Sequence, residues 1–350
     1  MIYNATEEQI NLFKIAHEEI KKTINLGKEI LWLTKDDFQA AKPSVEETLG
    51  IVKQALTAHG KKECEVPAKL GFQPFPEVFY HAMPAYLPAA PACGVKWIEA
   101  YPDNPKKYNL PQITGLMIMN DIMTGVPIAV MDGTSMTAMR TPAVTVLAAD
   151  VLHSDAKTFG MIGCGVQGAG HVLYAAKGMK NLEKIYIFDN RLEIMDQLIS
   201  EIGPLIDIEI IKADSIQQLC SKCDVMCTAT VILKEPLRAI KKEWVSKGQT
   251  IFSCDVNTLW DPFIAKEADQ FIVDCSLIHK SYEDRGYFPD GMPKITCETG
   301  EVVAGIAKGR TSKDELIFSS NVGIAISDVA MGKFVLDKAI QMGLGQKVPL

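Results

Sequence analysis

The chain has no block of like charge, no apolar run of bilayer length and no regular cysteine pattern, and each absence removes a class of protein. Lys and Arg number 36 against 43 Asp and Glu, a formal net charge of −7 with charge dispersed along the sequence. Such a balance argues against a surface built for nucleic acid or an anionic membrane. No apolar run approaches the ~18–20 residues that span a bilayer. The amino-terminal stretch "MIYNATEEQINLFKIAHEEIKK" lacks a continuous apolar core and carries acids, so it does not read as a signal peptide, and a cytoplasmic location is expected. Nine cysteines, an odd count at irregular spacings, do not make a disulfide scaffold. Cys220, Cys223 and Cys227 lie close enough in sequence to suggest zinc or an iron–sulfur cluster. No matching fourth ligand sits nearby. Cys220 and Cys223 are expected to close a helix and Cys227 to lie on a strand facing elsewhere, so no metal site is expected. No internal repeat is visible.

What is present is a change of texture along the chain. At 350 residues, two domains or one with a large insertion are expected. Thr6 opens a T-x-x-Q capping box, and Ile10, Phe13, Ala16, Ile20 and Ile24 follow at helical spacing. Ser44 and Glu47 form a second box before Leu49, Val52 and Leu56. Residues 64–100 are rich in proline and aromatics, and "VFYHAMP", "GVKWIEAYP", "TGLMIMND" and "GVPIAVMDG" read as strands of a partly antiparallel sheet. From about residue 140 the pattern alternates: "TFGMIG", "KIYIFD", "DIEIIKA", "DVMCTAT", "QTIFSCD" and "QFIVD" are separated by helical stretches. That rhythm predicts a parallel sheet with crossover helices. The expected fold is α/β, a central Rossmann-like doubly wound domain over 146–319 inserted in a discontinuous α+β domain formed by 1–145 and 320–350.

The stretch "GMIGCGVQGAGH" supplies the strongest motif. A strand precedes it, a helical pattern follows, and the next strand ends in Asp189, 21 residues after Gly168. This is the context of a dinucleotide fingerprint. Gly163 serves the turn, Gly165 the close approach of backbone to pyrophosphate, and Gly168 helix–strand packing. Val166 and Gln167 begin the helix whose N-terminus faces the phosphates. Asp189 suits the ribose hydroxyls and favours NAD over NADP, a preference that Arg191 two residues on could soften. His171, one turn into the helix, is better read as packing beside the cofactor or within its domain than as a base.

Substrate contacts must come from elsewhere. Lys96 lies in the apolar strand "CGVKWI", where burial lowers an amine's proton affinity and makes it a plausible base. Arg140 ends "TSMTAMR", where a guanidinium could fork onto a carboxylate. Lys69 and His81 are further candidates. Asp255 closes the strand "IFSCD", at the sheet end where ligands of doubly wound folds bind. Each also has a plain alternative: a snorkelling lysine, a helix-end ion pair, a capping aspartate.

The sequence resembles the ornithine cyclodeaminase/mu-crystallin family over nearly its whole length. The resemblance rests on "MPAY" (83–86), "GVKWIEAYPDN" (94–104), "TGVPIAVMDGTSMTAMRTPAVTVLAADVL" (124–152), "IGCGVQGAGH" (162–171), "CDVMCTATVILKEP" (223–236) and "FSSNVGIAISD" (318–328). It implies a substrate and dimerisation domain built from both chain ends around a Rossmann domain, NAD as cofactor, and a homodimer or larger assembly. It also implies Lys96 as general base beside the substrate α-amino group and Arg140 on the substrate carboxylate. Asp255 would orient the substrate amine and assist proton transfer, while Asp189 would hold the cofactor ribose and Thr228 and Thr230 line the cofactor. Two positions depart from the family pattern. Lys69 stands where an arginine often clamps the carboxylate, and His81 where ornithine-specific members carry a glutamate for the side-chain amine.

The activity expected first is conversion of ornithine, or a related diamino acid, to proline or a cyclic imino acid with loss of ammonia through an imine. The alternative at the same site is an NAD(P)-dependent amino-acid dehydrogenase or a reductase of a cyclic imine such as pyrroline-2-carboxylate. A third is a crystallin-like protein that binds NAD(P)H without turnover. The partners expected are a small amino or imino acid and a second copy of the chain.

Overall fold

The computed structural model describes residues 5–350; the first four residues of the amino-terminal stretch lie outside it. The chain divides into two compact units, one running up to Arg140 and resuming at Ile324–Leu350, the other Thr141–Gly323.

The first unit contains α1 (Glu7–Thr23), β1 (Glu29–Trp32), α2 (Lys35–Ala41), α3 (Val45–Gly60), β2 (Leu70–Phe72), β3 (Phe79–Leu87), β4 (Ala92–Ala100), α4 (Asn104–Lys107), β5 (Ile113–Asn120) and β6 (Pro127–Asp132). The helix α5 (Gly133–Leu152) carries the boundary between Arg140 and Thr141. Both capping boxes form: Thr6 Oγ1 accepts from Gln9 N at 3.2 Å and Ser44 Oγ from Glu47 N at 3.1 Å. β3 through β6 make an antiparallel meander within a seven-stranded sheet ordered β15–β1–β6–β5–β4–β3–β2, where β15 (Gln346–Pro349) comes from the carboxyl end.

Strand alternation gives this sheet two different faces. His81, Met83, Lys96, Ile98 and Met117 share one face and are buried, because cross-strand partners Met83↔Lys96 and Lys96↔Met117 point the same way. The carboxyl-terminal helix α12 (Ala325–Met342) packs on it, and a Cβ at Gly332 would stand 2.7 Å from Met119 Sδ, so the helix approaches where it has no side chain. The other face carries Phe72, Tyr80, Trp97 and Leu116. Phe72 stacks on Tyr80 with ring centres 5.0 Å apart, yet Phe72, Trp97 and Leu116 remain 56%, 37% and 43% exposed.

In the second unit the strands are β7 (Thr158–Ile162), β8 (Lys184–Phe188), β9 (Glu209–Lys212), β10 (Val225–Thr228), β11 (Thr250–Ser253), β12 (Gln270–Val273), β13 (Cys297–Glu298) and β14 (Ile317–Ser320). Between them run α6 (Val166–Gly178), α7 (Leu192–Ile202), α8 (Ile216–Lys222), α9 (Pro262–Lys266), α10 (Ser276–Asp284) and α11 (Thr299–Val303). All eight strands are parallel, in the order β13–β12–β14–β11–β10–β7–β8–β9. The order reverses between β7 and β10, which is where doubly wound sheets bind nucleotides. Cys220 and Cys223 pack into the apolar core with Leu219, Ile251 and Trp260, and burial pushes the Cys220 thiol up to about 12. Cys227, on β10, turns to other partners. No helix among the described residues is long and apolar enough to cross a membrane.

Candidate active site

The dinucleotide motif folds as a tight strand–turn–helix. Gly163 has φ +93°, and a Cβ there would lie 2.7 Å from the Ala229 carbonyl oxygen, so this position admits little besides glycine. A Cβ at Gly168 would stand 2.0 Å from the Gly163 carbonyl oxygen, which brings α6 against the turn. Gly165 differs from both: a Cβ there would meet nothing within 4 Å. It is the N-cap of α6 and provides no side-chain cap, while Val166 beside it is 74% exposed. The first N–H groups of α6 thus have an open approach and no side-chain acceptor at the cap, the arrangement that suits a phosphate. At the end of β8, Asp189 accepts from Cys164 N at 2.9 Å and Arg191 N at 3.0 Å, and the exposed Arg191 side chain lies 3.5 Å away through Nε. These residues fit an adenosine ribose and pyrophosphate on this chain's own geometry.

Asp255 follows β11 and is fully buried. Its Oδ1 accepts from Thr228 Oγ1 at 2.7 Å, with Ser253 Oγ at 2.9 Å, and its Oδ2 accepts from Thr230 Oγ1 at 2.5 Å and Thr230 N at 3.3 Å. Thr228 also accepts from Trp260 Nε1 at 3.0 Å. Asp255, Thr228, Thr230, Ser253 and Trp260 form one knot at the ends of β10 and β11. Val256, immediately after, has φ +65°, a strained setting for a β-branched residue that marks this loop as tightly specified.

A second knot lies beside it. His171 is fully buried on α6, with Nδ1 2.8 Å from the Gln167 carbonyl oxygen and Nε2 3.1 Å from Thr145 Oγ1 and 3.6 Å from Cys254 Sγ. Cys254 is partly exposed; hydrogen bonding from Cys227 first, and then the His171 and Thr145 contacts, lower its thiol to about 5 against the opposing effect of burial. These partners were not legible in the sequence.

In the first unit, Lys96 on β4 projects into the layer between sheet and α12. Its ammonium is fully buried, 2.6 Å from Asp328 Oδ1 and 3.0 Å from Thr137 Oγ1. Arg140 Nε donates to the same Asp328 oxygen at 3.1 Å. Thr137 and Arg140 are brought there by α5, whose start Asp132 fixes by accepting from Thr134 N at 2.8 Å. Burial first, and then the Arg140 charge, lowers the Lys96 ammonium to about 7; Asp328 opposes this and Lys69 adds a smaller push in the same direction. Lys69 is buried just before β2. His81 is buried on the same sheet face as Lys96, stacked on Phe79 at 4.4 Å, and lies so close to Gly71 that a Cβ there would be 2.4 Å from its ring. The unit therefore brings Lys96 and Arg140 onto one carboxylate, Asp328, which sequence reasoning missed; Lys69 is near enough for its charge to act on Lys96, and His81 shares the buried sheet face of Lys96. An aspartate in the first turn of a helix reads as a partner of the helix dipole; the available signal was its setting among "GIAISDVAM", where every neighbour is apolar or small.

The profile of the ornithine cyclodeaminase/mu-crystallin family matches residues 39–343. The chain belongs to the ornithine cyclodeaminase/mu-crystallin family. It is 30% identical over 330 residues to an alanine dehydrogenase of Archaeoglobus fulgidus, covering 91% of this chain and 98% of that one. The structure of the Thermococcus litoralis Δ1-pyrroline-2-carboxylate reductase in complex with NADH and L-proline superposes with a TM-score of 0.78 at 29% identity, covering 91% of this chain and all of that one (100%). An archaeal alanine dehydrogenase dimer with bound NAD gives a TM-score of 0.79 at 29% identity, covering 91% and 99% of the two chains.

Proposed function

We propose that this member of the family is an NAD-dependent oxidoreductase that interconverts a small α-amino acid and its imine, rather than a cyclodeaminase. The observation that carries this reading is the charge inventory around Lys96. Lys69, Lys96 and Arg140 bring three cations, and the one carboxylate among them, Asp328, is engaged by two of the three. That set suits a substrate carboxylate and a nitrogen that gains and loses a proton. Among the described residues it offers no acid for a second, side-chain ammonium, and His81 stands where the family resemblance places a glutamate for that purpose. Relatives named as alanine dehydrogenase and pyrroline-2-carboxylate reductase, matching at 29–30% identity, support the same reading.

Gly163, Gly165, Val166, Gln167, Gly168 and Asp189 would hold NAD, which when bound would supply the acceptor or donor of hydride. The protein's own work is then proton transfer and orientation. Arg140, with Nε committed to Asp328, turns its terminal nitrogens to the substrate carboxylate, and Lys69 adds a point charge without a planar fork. Lys96, near 7, is divided between amine and ammonium at neutral pH, so it takes a proton from the α-ammonium in oxidation and gives one to the imine nitrogen in reduction. Thr228, Thr230 and Asp255 build the strand-end turn, and Asp255 acts there as a positioning residue. The aromatic face of the first unit's sheet, with Phe72, Trp97 and Leu116 exposed, suits pairing with a second copy, in keeping with the dimer of the archaeal alanine dehydrogenase.

The test supplies purified protein with NADH and either pyrroline-2-carboxylate or pyruvate plus ammonium, and separately with ornithine and catalytic NAD+. NADH consumption with a cyclic or acyclic imine precursor is expected, without proline from ornithine. Release of proline and ammonia from ornithine would overturn the proposal in favour of the cyclodeaminase.

A further inference from the structure

The knot of His171, Cys227 and Cys254 has no part in the reaction described above, and its geometry is that of a coordination sphere. Four separate elements converge on it: α5 gives Thr145, α6 gives His171, β10 gives Cys227, and the residue after β11 is Cys254. Cys227 Sγ lies 3.9 Å from Cys254 Sγ, and Cys254 Sγ lies 3.6 Å from His171 Nε2. All three donor atoms fall within 4.8 Å of one another. Tetrahedral zinc with bonds of about 2.3 Å to sulfur and 2.0–2.1 Å to nitrogen separates its ligands by about 3.8 Å for sulfur–sulfur and about 3.6 Å for sulfur–nitrogen. The observed edges match both.

The histidine is also set for the task. The Gln167 carbonyl oxygen, 2.8 Å from Nδ1, can only accept, so the ring proton sits on Nδ1 and the lone pair is on Nε2, 3.6 Å from Cys254 Sγ and 3.1 Å from Thr145 Oγ1. A disulfide is the competing use of two neighbouring thiols, but the strands disfavour it. Cys227 is in register with Phe252 on a parallel strand, so Cys254 stands two residues further along, and strands about 4.8 Å apart rising about 3.3 Å per residue put the two Cα atoms about 8 Å apart, beyond the span a disulfide tolerates. Charge favours a divalent ion over a monovalent one: two thiolates and a neutral imidazole neutralise M2+, which a buried site requires. Thr145 Oγ1, 3.6 Å from Cys254 Sγ, completes the fourth side or holds a water there.

We propose that His171, Cys227 and Cys254 bind one thiophilic divalent ion of the zinc and cadmium type through two thiolates and one neutral imidazole, with the Cys227 thiol proton released as its metal–sulfur bond forms. The full-length protein, stripped with a chelator, is titrated with Cd2+ while thiolate-to-cadmium charge transfer is followed in the ultraviolet and proton release is followed with an indicator dye. One equivalent is expected, with about one proton released near neutral pH. Cys254→Ser and Cys227→Ser each should reduce the band by half or more and weaken binding at least tenfold, by loss of a ligand. A Cys64→Ser/Cys93→Ser/Cys297→Ser variant, which removes other partly exposed thiols, should leave it unchanged. Should a knot variant fail to fold, Zn2+ competition against Cd2+ in this triple variant serves instead, read by the same band. Absence of a saturable band in the triple variant, or a band that survives Cys254→Ser in folded protein, would overturn the proposal.

Discussion

Asp328→Asn tests the proton chemistry of Lys96 most directly. Asp328 Oδ1 is 2.6 Å from Lys96 Nζ and holds that ammonium up against burial and the charges of Arg140 and Lys69. An opposite charge in such contact shifts a proton equilibrium by about 1–3 units. Removing it should therefore move Lys96 from about 7 to about 4–6. The readout is kcat/KM against pH, which reports the free enzyme. Amine oxidation needs the neutral amine, so in the wild type its rate rises through pH 7, and in the variant that limb moves down by at least about one unit. Imine reduction needs the ammonium. At pH 7 the protonated fraction falls from about one half to about one tenth for a one-unit shift, a loss of about 5-fold, or of about 50-fold for two units. Breaking a buried ion pair also costs about 3–5 kcal/mol of stability, so the profile is taken on protein shown to be folded by its melting curve. A folded variant whose limb stays near pH 7 would remove Lys96 and Asp328 as the source of the pH dependence.

The other predictions concern separate features. Lys96→Met should bind NADH as the wild type does while kcat falls about 10²–10⁴-fold, the usual range for a lost acid–base group; unchanged turnover removes Lys96 from the reaction. Gly165→Ala should fold normally, since a Cβ there meets nothing, yet weaken NADH binding at least tenfold by blocking backbone approach, whereas Gly168→Ala, with 2.0 Å to a backbone oxygen, should lower the melting temperature as well. Equal losses in the two, measured by calorimetry and fluorescence titration, would contradict the division of labour between these glycines. Trp97→Asp places a charge on the exposed aromatic face and should leave a folded monomer by sedimentation; an unchanged dimer means that this face is not the interface.

Much of the architecture was legible because it rests on short-range pattern. The apolar run "CGVKWI" marked Lys96 as a lysine inside a strand, and strand–helix rhythm after residue 140 announced a parallel sheet. Gly163 and Gly168 could be assigned roles because each answers a local steric demand. What stayed hidden depends on which distant elements stack. Asp328 reaches Lys96 from 232 positions away, and Cys254 reaches His171 across 83. No periodicity reports such pairings, since they follow from how α12 seats on the sheet and how β10 and β11 align. The cysteines illustrate the point: near neighbours Cys220 and Cys223 serve the core, while Cys227 finds its partners far along the chain.

The two buried aspartates exchange weight when their surroundings are compared. By family resemblance Asp255 was expected to steer substrate nitrogen, and Asp328 drew no attention. Yet the acceptor positions of Asp255 are filled by Thr228, Thr230 and Ser253, and engaging a substrate amine would cost bonds that shape the turn. Asp328 has the opposite character: its Oδ1 meets Lys96 and Arg140 together, while its Oδ2 is buried with no hydrogen-bond partner. An unsatisfied buried carboxylate oxygen is costly in a folded protein, and such a cost is retained where a charge is needed close at hand. The kinetic consequence separates the two roles. Asp255→Asn should raise KM for NADH more than it lowers kcat, because it loosens the turn, whereas Asp328→Asn should act on the pH profile. If Asp255→Asn instead moves the pH limb and leaves KM for NADH unchanged, proton handling belongs to Asp255 and the assignment reverses.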